Sequence, residues 1–142
     1  MPVDSSIQGT NGAAELRLEL DRNHEAPLTA RAAVREFCQR HEIDGDARAN
    51  ILLLVSEIVT NAVLHSAGDV TSTIRLSAQI DQESIRIDVN DHGAGFTPVI
   101  RDPAQVGRGY GLFLVDRIAS RWGITDQGGT TVWFELAVGP EP

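Results

Sequence analysis

The apolar run from Ile51 to Val63 restricts the fold of this chain more than any other segment, because polar side chains interrupt it at regular intervals. It contains neither Gly nor Pro and follows a Gly-Asp start signal, so it predicts a helix over about residues 46–66. Successive helical residues turn by about 100°, so Glu57, Asn61 and His65, spaced four apart, form one narrow stripe. Burying a carboxylate and an amide is costly without a partner. The stripe therefore predicts a polar ligand or partner at this helix.

The rest of the chain alternates between strand patterns and amphipathic helices. Alternation of apolar and polar residues predicts five strands, and apolar positions at helical spacing predict two further helices. In chain order, the elements are a strand at 14–20, a helix at about 27–42, the helix at about 46–66, strands at 71–80 and 84–91, a helix at about 110–121, and strands at 122–127 and 130–138.

This β-α-α-β-β-α-β-β order is typical of an α+β fold. We expect a two-layer sandwich, with a mostly antiparallel sheet and the helices on one face. The polar, small residues of 1–12 predict a flexible N-terminal tail. Residues 13–138 are expected to form a single domain, followed by a short C-terminal tail at 139–142.

Charge and composition exclude several kinds of function. The chain has 12 basic and 20 acidic residues and a formal net charge of −8, which argues against nucleic acid as a direct partner. All the basic residues are arginines. The absence of lysine excludes a P-loop lysine, a pyridoxal-phosphate Schiff base and a Ser-Lys dyad.

The single cysteine and the hydropathy pattern bear on the compartment. Cys38 cannot form an internal disulfide, and its apolar helical context predicts a small buried hydrophobic residue in a reducing compartment. No signal peptide or run of about 20 apolar residues is evident, so we expect a soluble, cytoplasmic protein that does not enter a membrane.

A glycine-containing segment, DVNDHGAGF at 88–96, follows one of the predicted strands. One interpretation is a tight turn, because Asp and Gly tolerate turn geometry. The other is a ligand pocket, in which Asp91 accepts a hydrogen bond at the floor and Gly93 and Gly95 let the ligand approach the backbone. The segment opens a long loop, 92–108, and a loop of this length in a compact domain is usually a functional lid.

A second glycine-containing segment, GRGYGLFLV at 107–115, leads directly into a predicted helix. Unpaired N–H groups at such a position bind phosphate, although a flexible hinge also explains the pattern. The dinucleotide-binding pattern fails, because Leu112 takes the place of its last glycine and the βαβ context is missing. A closing strand with hydroxyls at its start, GGTTVWFEL at 128–136, is equally well explained as one arm of a hairpin.

Taken together and in this order, the four segments resemble the N box, the two glycine boxes and the closing Gly-Thr strand of the GHKL ATPase superfamily. The matching ranges are Glu57–His65, Asp91–Phe96, Gly107–Leu112 and Gly129–Phe134, and the resemblance covers about residues 46–136. Within the superfamily, the likeness is greatest to the small anti-sigma-factor serine/threonine protein kinases.

The resemblance implies roles for the polar residues. Asn61 would coordinate a Mg²⁺ that bridges the phosphates of ATP, and Glu57 would act as general base toward a substrate hydroxyl or water. Asp91 would bind the adenine amino group. Thr131 or Thr130 would form a hydrogen bond near the adenine.

The resemblance also implies a phosphate cradle built from the lid and the second glycine box. Its residues would be Gly93, Gly95, Gly107, Arg108, Gly109, Gly111 and Leu112. Without lysine, a protein cation at the γ-phosphate must be arginine, and either Arg101 or Arg108 could supply it, although a surface position explains both. His65 is interpreted as a structural histidine.

The function implied is an ATP-dependent protein serine/threonine kinase that phosphorylates an anti-sigma-factor antagonist and sequesters a sigma factor. The alternative is a non-catalytic, ATP-gated anti-sigma binding module. A third possibility, an ATPase module of a larger machine, is disfavoured by the short chain. Homodimerisation is suggested by the family resemblance alone.

Overall fold

The computed structural model describes residues 14–64, 73–81, 83–91, 112–126 and 129–138. The strands are β1 (Ala14–Asp21), β2 (Thr73–Ile80), β3 (Ser84–Asp91), β4 (Arg121–Thr125) and β5 (Thr130–Ala137), and the helices are α1 (Ala26–Arg40), α2 (Gly45–Leu64) and α3 (Phe113–Ile118). The predicted terminal tails, 1–12 and 139–142, lie outside the described residues and stay predictions.

One five-stranded sheet forms the first layer, in the order β1-β2-β3-β5-β4. Every neighbouring pair is antiparallel. The central strand β3 pairs with β2 on one side and with β5 on the other, so the last residue of β3 lies inside the sheet rather than at its edge. The predicted α+β sandwich is thereby confirmed.

The second layer consists of the helices, which cover one face of the sheet. The helix α1 packs on β1 and α2, whereas α2 packs on β3, β5 and α3. Apolar side chains fill the space between the layers because strand residues alternate between the two faces. The fully buried members include Ile51, Leu54, Val55 and Ile58 of α2, Leu76 of β2, Ile85 and Ile87 of β3, and Phe134 of β5.

The predicted third helix is too long at its C-terminal end. Helix α3 ends at Ile118, and Ala119 is extended, with φ −69° and ψ 149°. The chain then joins the sheet edge, where the backbone N–H of Ser120 donates to the carbonyl of Glu135 at 2.8 Å. Pairing with β5 therefore ends the helix before Arg121, which becomes the first residue of β4.

A glycine in β4 lets this edge strand lie close to β5. Gly123 is the register partner of Trp133, and a Cβ added to Gly123 would lie 2.9 Å from atoms of the indole ring. Contacts this short require the ring to move. The glycine therefore makes room for the tryptophan rather than marking a turn.

Within the described ranges, α2 is the one helix that is long and apolar enough to cross a membrane, judged by length and composition alone. This differs from the expectation that no such run exists. The physical reason for its apolar character in this structure is its position between α1, α3 and the sheet. The core helices of soluble proteins can have the same length and composition as membrane-spanning helices.

Candidate functional site

Very few polar side chains are buried in this fold. Among the residues that the structure describes, the buried polar or charged ones are Arg22, Asn61, Asp91 and Thr130. Asn61, Asp91 and Thr130 are predicted ligand-binding residues, and Arg22 is not. Polar groups are costly to bury unless they are hydrogen-bonded or paired, so these four positions are exceptions in an apolar interior, and we take them as the candidate site.

Helix α2 buries Asn61 of the predicted stripe. Asn61 is 3% exposed, and its neighbours in the chain are the half-buried Thr60 and the fully buried Ala62. Glu57, one helical turn earlier, is half-buried. The strands against which α2 packs, β3 and β5, are those that carry Asp91 and Thr130. His65 lies just outside the described residues, so its structural role stays a prediction.

The last residue of β3 supplies the buried carboxylate. Residues on the helix-facing side of β3 alternate with half-buried ones, and Asp91 continues the buried series after Ile87 and Val89 with 0% exposure. The strand pattern thus places a carboxylate at the end of an apolar row, within the sheet rather than in a solvent-exposed turn.

The two candidate threonines lie on opposite faces of the sheet. Asp91 is the register partner of Thr130, which shares its buried face, whereas Asn90 is the partner of Thr131. On the open face, Asn90 Nδ2 donates to Thr131 Oγ1 at 2.6 Å. The threonine beside Asp91 is therefore Thr130, and which of the two contacts a nucleotide stays a prediction.

Gly129 explains how the chain enters β5 at this point. Its φ is +96°, a conformation that side-chain-bearing residues rarely adopt. The glycine directly precedes Thr130, the first residue of the strand and the register partner of Asp91. The Gly-Thr pattern therefore has a local structural cause besides any ligand.

Arg22 is the site residue that sequence reasoning missed. Its Nη2 donates to Asp91 Oδ1 in a salt bridge whose side chains are 2% and 0% exposed, in that order. The signal was present, because Arg22 continues the alternation in which Leu18 and Leu20 face the helices. An arginine in phase with a buried row indicates a carboxylate nearby, since buried charges are paired.

The second glycine box is described only at its end. Leu112 is fully buried at the N-cap of α3, and α3 packs against α2. The predicted cradle residues Gly93, Gly95, Gly107, Arg108, Gly109 and Gly111, as well as Arg101, lie outside the described residues. Their roles stay predictions.

The donor set suits Mg²⁺ better than a metal that needs a protein cage. No group of three or more His, Cys, Asp or Glu side chains able to hold a metal occurs in the described part of the chain. Mg²⁺ keeps most of its water and phosphate ligands, so a single amide oxygen on a buried helical face fits it. Asn61 is such a residue.

The sequence of the chain resembles those of known proteins. The family model described as "Histidine kinase-like ATPase domain" matches residues 21–136. The chain is 31% identical over 97 residues to the anti-sigma F factor of Pasteuria penetrans, which covers 66% of this chain and 65% of that protein. The chain thus spans slightly less than two thirds of this relative.

A solved structure gives the same answer for the fold. The RsbU and RsbW domains of Rv1364c from Mycobacterium tuberculosis superimpose with a TM-score of 0.67 and 27% identity, over 89% of this chain and 33% of that one. The region that the family model matches, residues 21–136, contains Arg22, Asn61, Asp91 and Thr130. The chain belongs to the histidine kinase-like ATPase family.

Proposed function

We propose that this protein is an ATP-dependent protein serine/threonine kinase of the anti-sigma-factor type. One observation carries the proposal: Asn61, Asp91 and Thr130 are buried on an α2-β3-β5 layer that is otherwise apolar. An ATP site of this family requires a carboxylate and a hydroxyl that bind the adenine. It also requires an amide that binds the Mg²⁺ on the phosphates.

Asp91 and Thr130 form the base-binding end of the proposed site. A carboxylate accepts hydrogen bonds and cannot donate them, so Asp91 suits the exocyclic amino group of adenine. Thr130, beside it on β5, can donate or accept through its hydroxyl. Their burial excludes water, which strengthens each hydrogen bond to the base.

Asn61 and Glu57 form the reactive end. Asn61 would hold Mg²⁺ through its amide oxygen, and the ion, when bound, would neutralise phosphate charge during transfer. Glu57 is half-buried one turn away on the same helix. It would orient the attacking serine or threonine hydroxyl and take its proton as the new bond to the γ-phosphorus forms and the bond from the γ-phosphorus to the bridging oxygen breaks, which releases ADP.

The partners follow from the relatives and belong to the proposal. The Pasteuria relative is named an anti-sigma F factor. We therefore assign to this chain a sigma factor that it sequesters and an antagonist protein that it phosphorylates. The proposal also includes a cytoplasmic location and homodimerisation. It includes no direct contact with nucleic acid. The net charge of −8 agrees with a protein rather than a nucleic-acid partner.

The alternative, a non-catalytic module gated by ATP, differs only in chemistry. The half-buried Glu57 favours the kinase, because a module that only binds ATP has no need for a carboxylate there. Incubation of the protein with γ-labelled Mg·ATP and candidate antagonists tests the choice. Label on a serine or threonine of an antagonist is expected. ATP-dependent sigma binding without label on any antagonist would favour the module.

A further inference from the structure

The salt bridge between Arg22 and Asp91 has no role in the chemistry proposed above. Both side chains are buried, with exposures of 2% and 0%. A buried ion pair is a weak source of stability, because the cost of removing two charges from water offsets most of their attraction. Stability is therefore a poor explanation for the pair.

The topology shows from which side Arg22 reaches the carboxylate. Arg22 follows β1, and β2 lies between β1 and β3. Its side chain therefore crosses the end of β2 to reach Asp91. Thr130 adjoins Asp91 from the opposite side, on β5, where α2 also packs. The cation thus lies on the β1 side of the carboxylate, and Thr130, the other proposed base-binding group, lies on the β5 side.

This placement affects what Asp91 can recognise. A charged carboxylate only accepts hydrogen bonds, so it suits a 6-amino purine, whereas a neutral carboxyl group can also donate to the oxygen of a 6-keto purine. Burial favours the neutral form of a carboxyl group, and a neighbouring cation favours the charged form. A carboxylate has room for several donors, so the contact with Arg22 is compatible with a base on the other side.

We propose that Arg22 is a positioning residue that sets the base specificity of the site. By pairing with Asp91, it keeps the carboxylate charged and oriented, so that the site accepts adenine and rejects 6-keto purines. This inference rests on the proposed function, in which Asp91 binds the base.

The test compares ATP with inosine triphosphate, whose base carries a 6-keto group, in calorimetric titrations with Mg²⁺. The wild-type protein is expected to prefer ATP by about ten- to hundredfold, the effect of one charged hydrogen bond. Arg22→Gln keeps a donor but removes the charge, and it should lower this preference by about tenfold. Arg22→Lys keeps the charge and is the matched control, in which the preference should change by no more than a few fold.

A double-mutant cycle tests whether Arg22 acts through Asp91. Asp91→Asn removes the charge from the carboxylate, so adding Arg22→Gln in that background should leave the remaining preference unchanged. This double variant also carries no uncompensated buried charge, so it remains measurable if Arg22→Gln alone fails to fold. In that case, its preference for ATP over inosine triphosphate should equal that of Asp91→Asn, and a clear difference between the two variants would overturn the inference. An equal effect of Arg22→Gln in both backgrounds would overturn the inference.

The outcomes separate this inference from the proposed function. Equal weakening of both nucleotides in Arg22→Gln, with the preference retained, would make Arg22 purely structural. Tighter ATP binding in Arg22→Gln would make it a competitor of the base, which also overturns the inference. A wild-type protein that binds neither nucleotide would remove the proposed function itself, and the inference with it.

Discussion

Each face of the sheet carries an Arg-Asp ion pair, and one pair is partly exposed whereas the other is buried. On the open face, Arg86 Nε lies 3.0 Å from Asp88 Oδ1, and the side chains are 37% and 28% exposed. On the helix-facing side, the side chains of Arg22 and Asp91 are 2% and 0% exposed. Water and salt screen the charges of the first pair. If one member of the second pair is removed, the remaining buried charge is not solvated by water.

The open face shows what ordinary surface chemistry looks like in this fold. Arg86 also lies 3.5 Å from Glu135 Oε2, and its guanidinium sits 4.2 Å from the centre of the Trp133 ring. The hydrogen bond to Asp88 is the main cause that raises the pKa of Arg86. Such networks are shared among several exposed partners, so each contact contributes little. The buried polar groups on the helix-facing side are not explained by such surface networks, which agrees with the proposal that they bind a ligand.

The largest effect on the phosphorylation rate is expected for Glu57→Gln, on helix α2. The substitution keeps the shape and hydrogen bonding of the side chain but removes the proton acceptor. We expect the single-turnover phosphorylation rate to fall by about 10²–10⁴-fold, the usual contribution of a positioned base, with ATP affinity within a few fold. Single-turnover transfer and calorimetry measure the two quantities.

Two variants provide controls for this prediction. Asn61→Ala should weaken Mg·ATP binding and transfer together, because its proposed contact exists before and during the reaction. Glu135→Gln, on the open face, should leave both unchanged. Transfer at the wild-type rate by Glu57→Gln would make Glu57 a structural carboxylate and place the binding module ahead of the kinase.

The next largest effect is on stability, from Asp91→Ala. Removing one partner of a buried ion pair typically costs about 3–5 kcal/mol. Because Arg22 would lose its carboxylate, we expect this variant to be destabilised as well as defective in ATP binding. Urea unfolding measures the free energy, and calorimetry on the folded fraction measures the affinity.

Asp88→Ala is the matched control on the open face. Its exposed pair with Arg86 should be worth only about 0–1 kcal/mol, and ATP binding should be unaffected. Similar losses of stability in the two variants would erase the difference between the faces. Full ATP affinity in a folded Asp91→Ala protein would show that Asp91 does not bind the base.

A smaller effect is expected from the buried thiol on α1. Burial raises the pKa of Cys38 to about 11 from 9.0, and Arg48 lowers it by a smaller amount. Between these two pH values, the unfolded chain loses the thiol proton while the folded chain keeps it. The free energy of unfolding therefore falls as pH rises from about 9 to 11, and below that range the contribution of the thiol to stability is fully present. The loss should reach about 2–3 kcal/mol at most.

Unfolding measured across this pH range tests the thiol. Cys38→Ala should be less stable at neutral pH, because it leaves a cavity, but the difference from the wild type should shrink as pH rises. A constant difference between pH 8 and 11 would contradict the raised pKa. Cys38 is fully buried, so slow reaction with thiol reagents in the folded state is a second readout.

The smallest effect separates the two threonines. Thr130→Val removes a hydroxyl on the face of Asp91 and should lower ATP affinity by roughly two- to tenfold, the net worth of one neutral hydrogen bond. Thr131→Val removes the acceptor of Asn90 on the open face and should leave ATP affinity unchanged. Calorimetry on both variants decides between them, and a larger loss for Thr131→Val would reverse the assignment.

Much of the fold could be predicted because its signals are local. Alternation over a few residues indicated each strand, and the apolar run with its polar stripe indicated α2 and the buried Asn61. The end of α3 was missed, since pairing between β4 and β5 decides it rather than local periodicity. In the same way, the apolar character of α2 reflects burial by α1, α3 and the sheet.

The sequence by itself determined which residues are available to the site: Asn61 within an apolar helix, Asp91 at the end of an alternating strand, and a pair of threonines after a glycine. These follow from the helical period and the strand period, which need only neighbours in the chain. Only the tertiary structure decided which threonine lies beside Asp91, because that choice depends on the register of β5 against β3. Only the tertiary structure paired Arg22 with Asp91, which are 69 positions apart in the chain. The physical reason is that such a contact requires the strand order β1-β2-β3, which no local pattern contains.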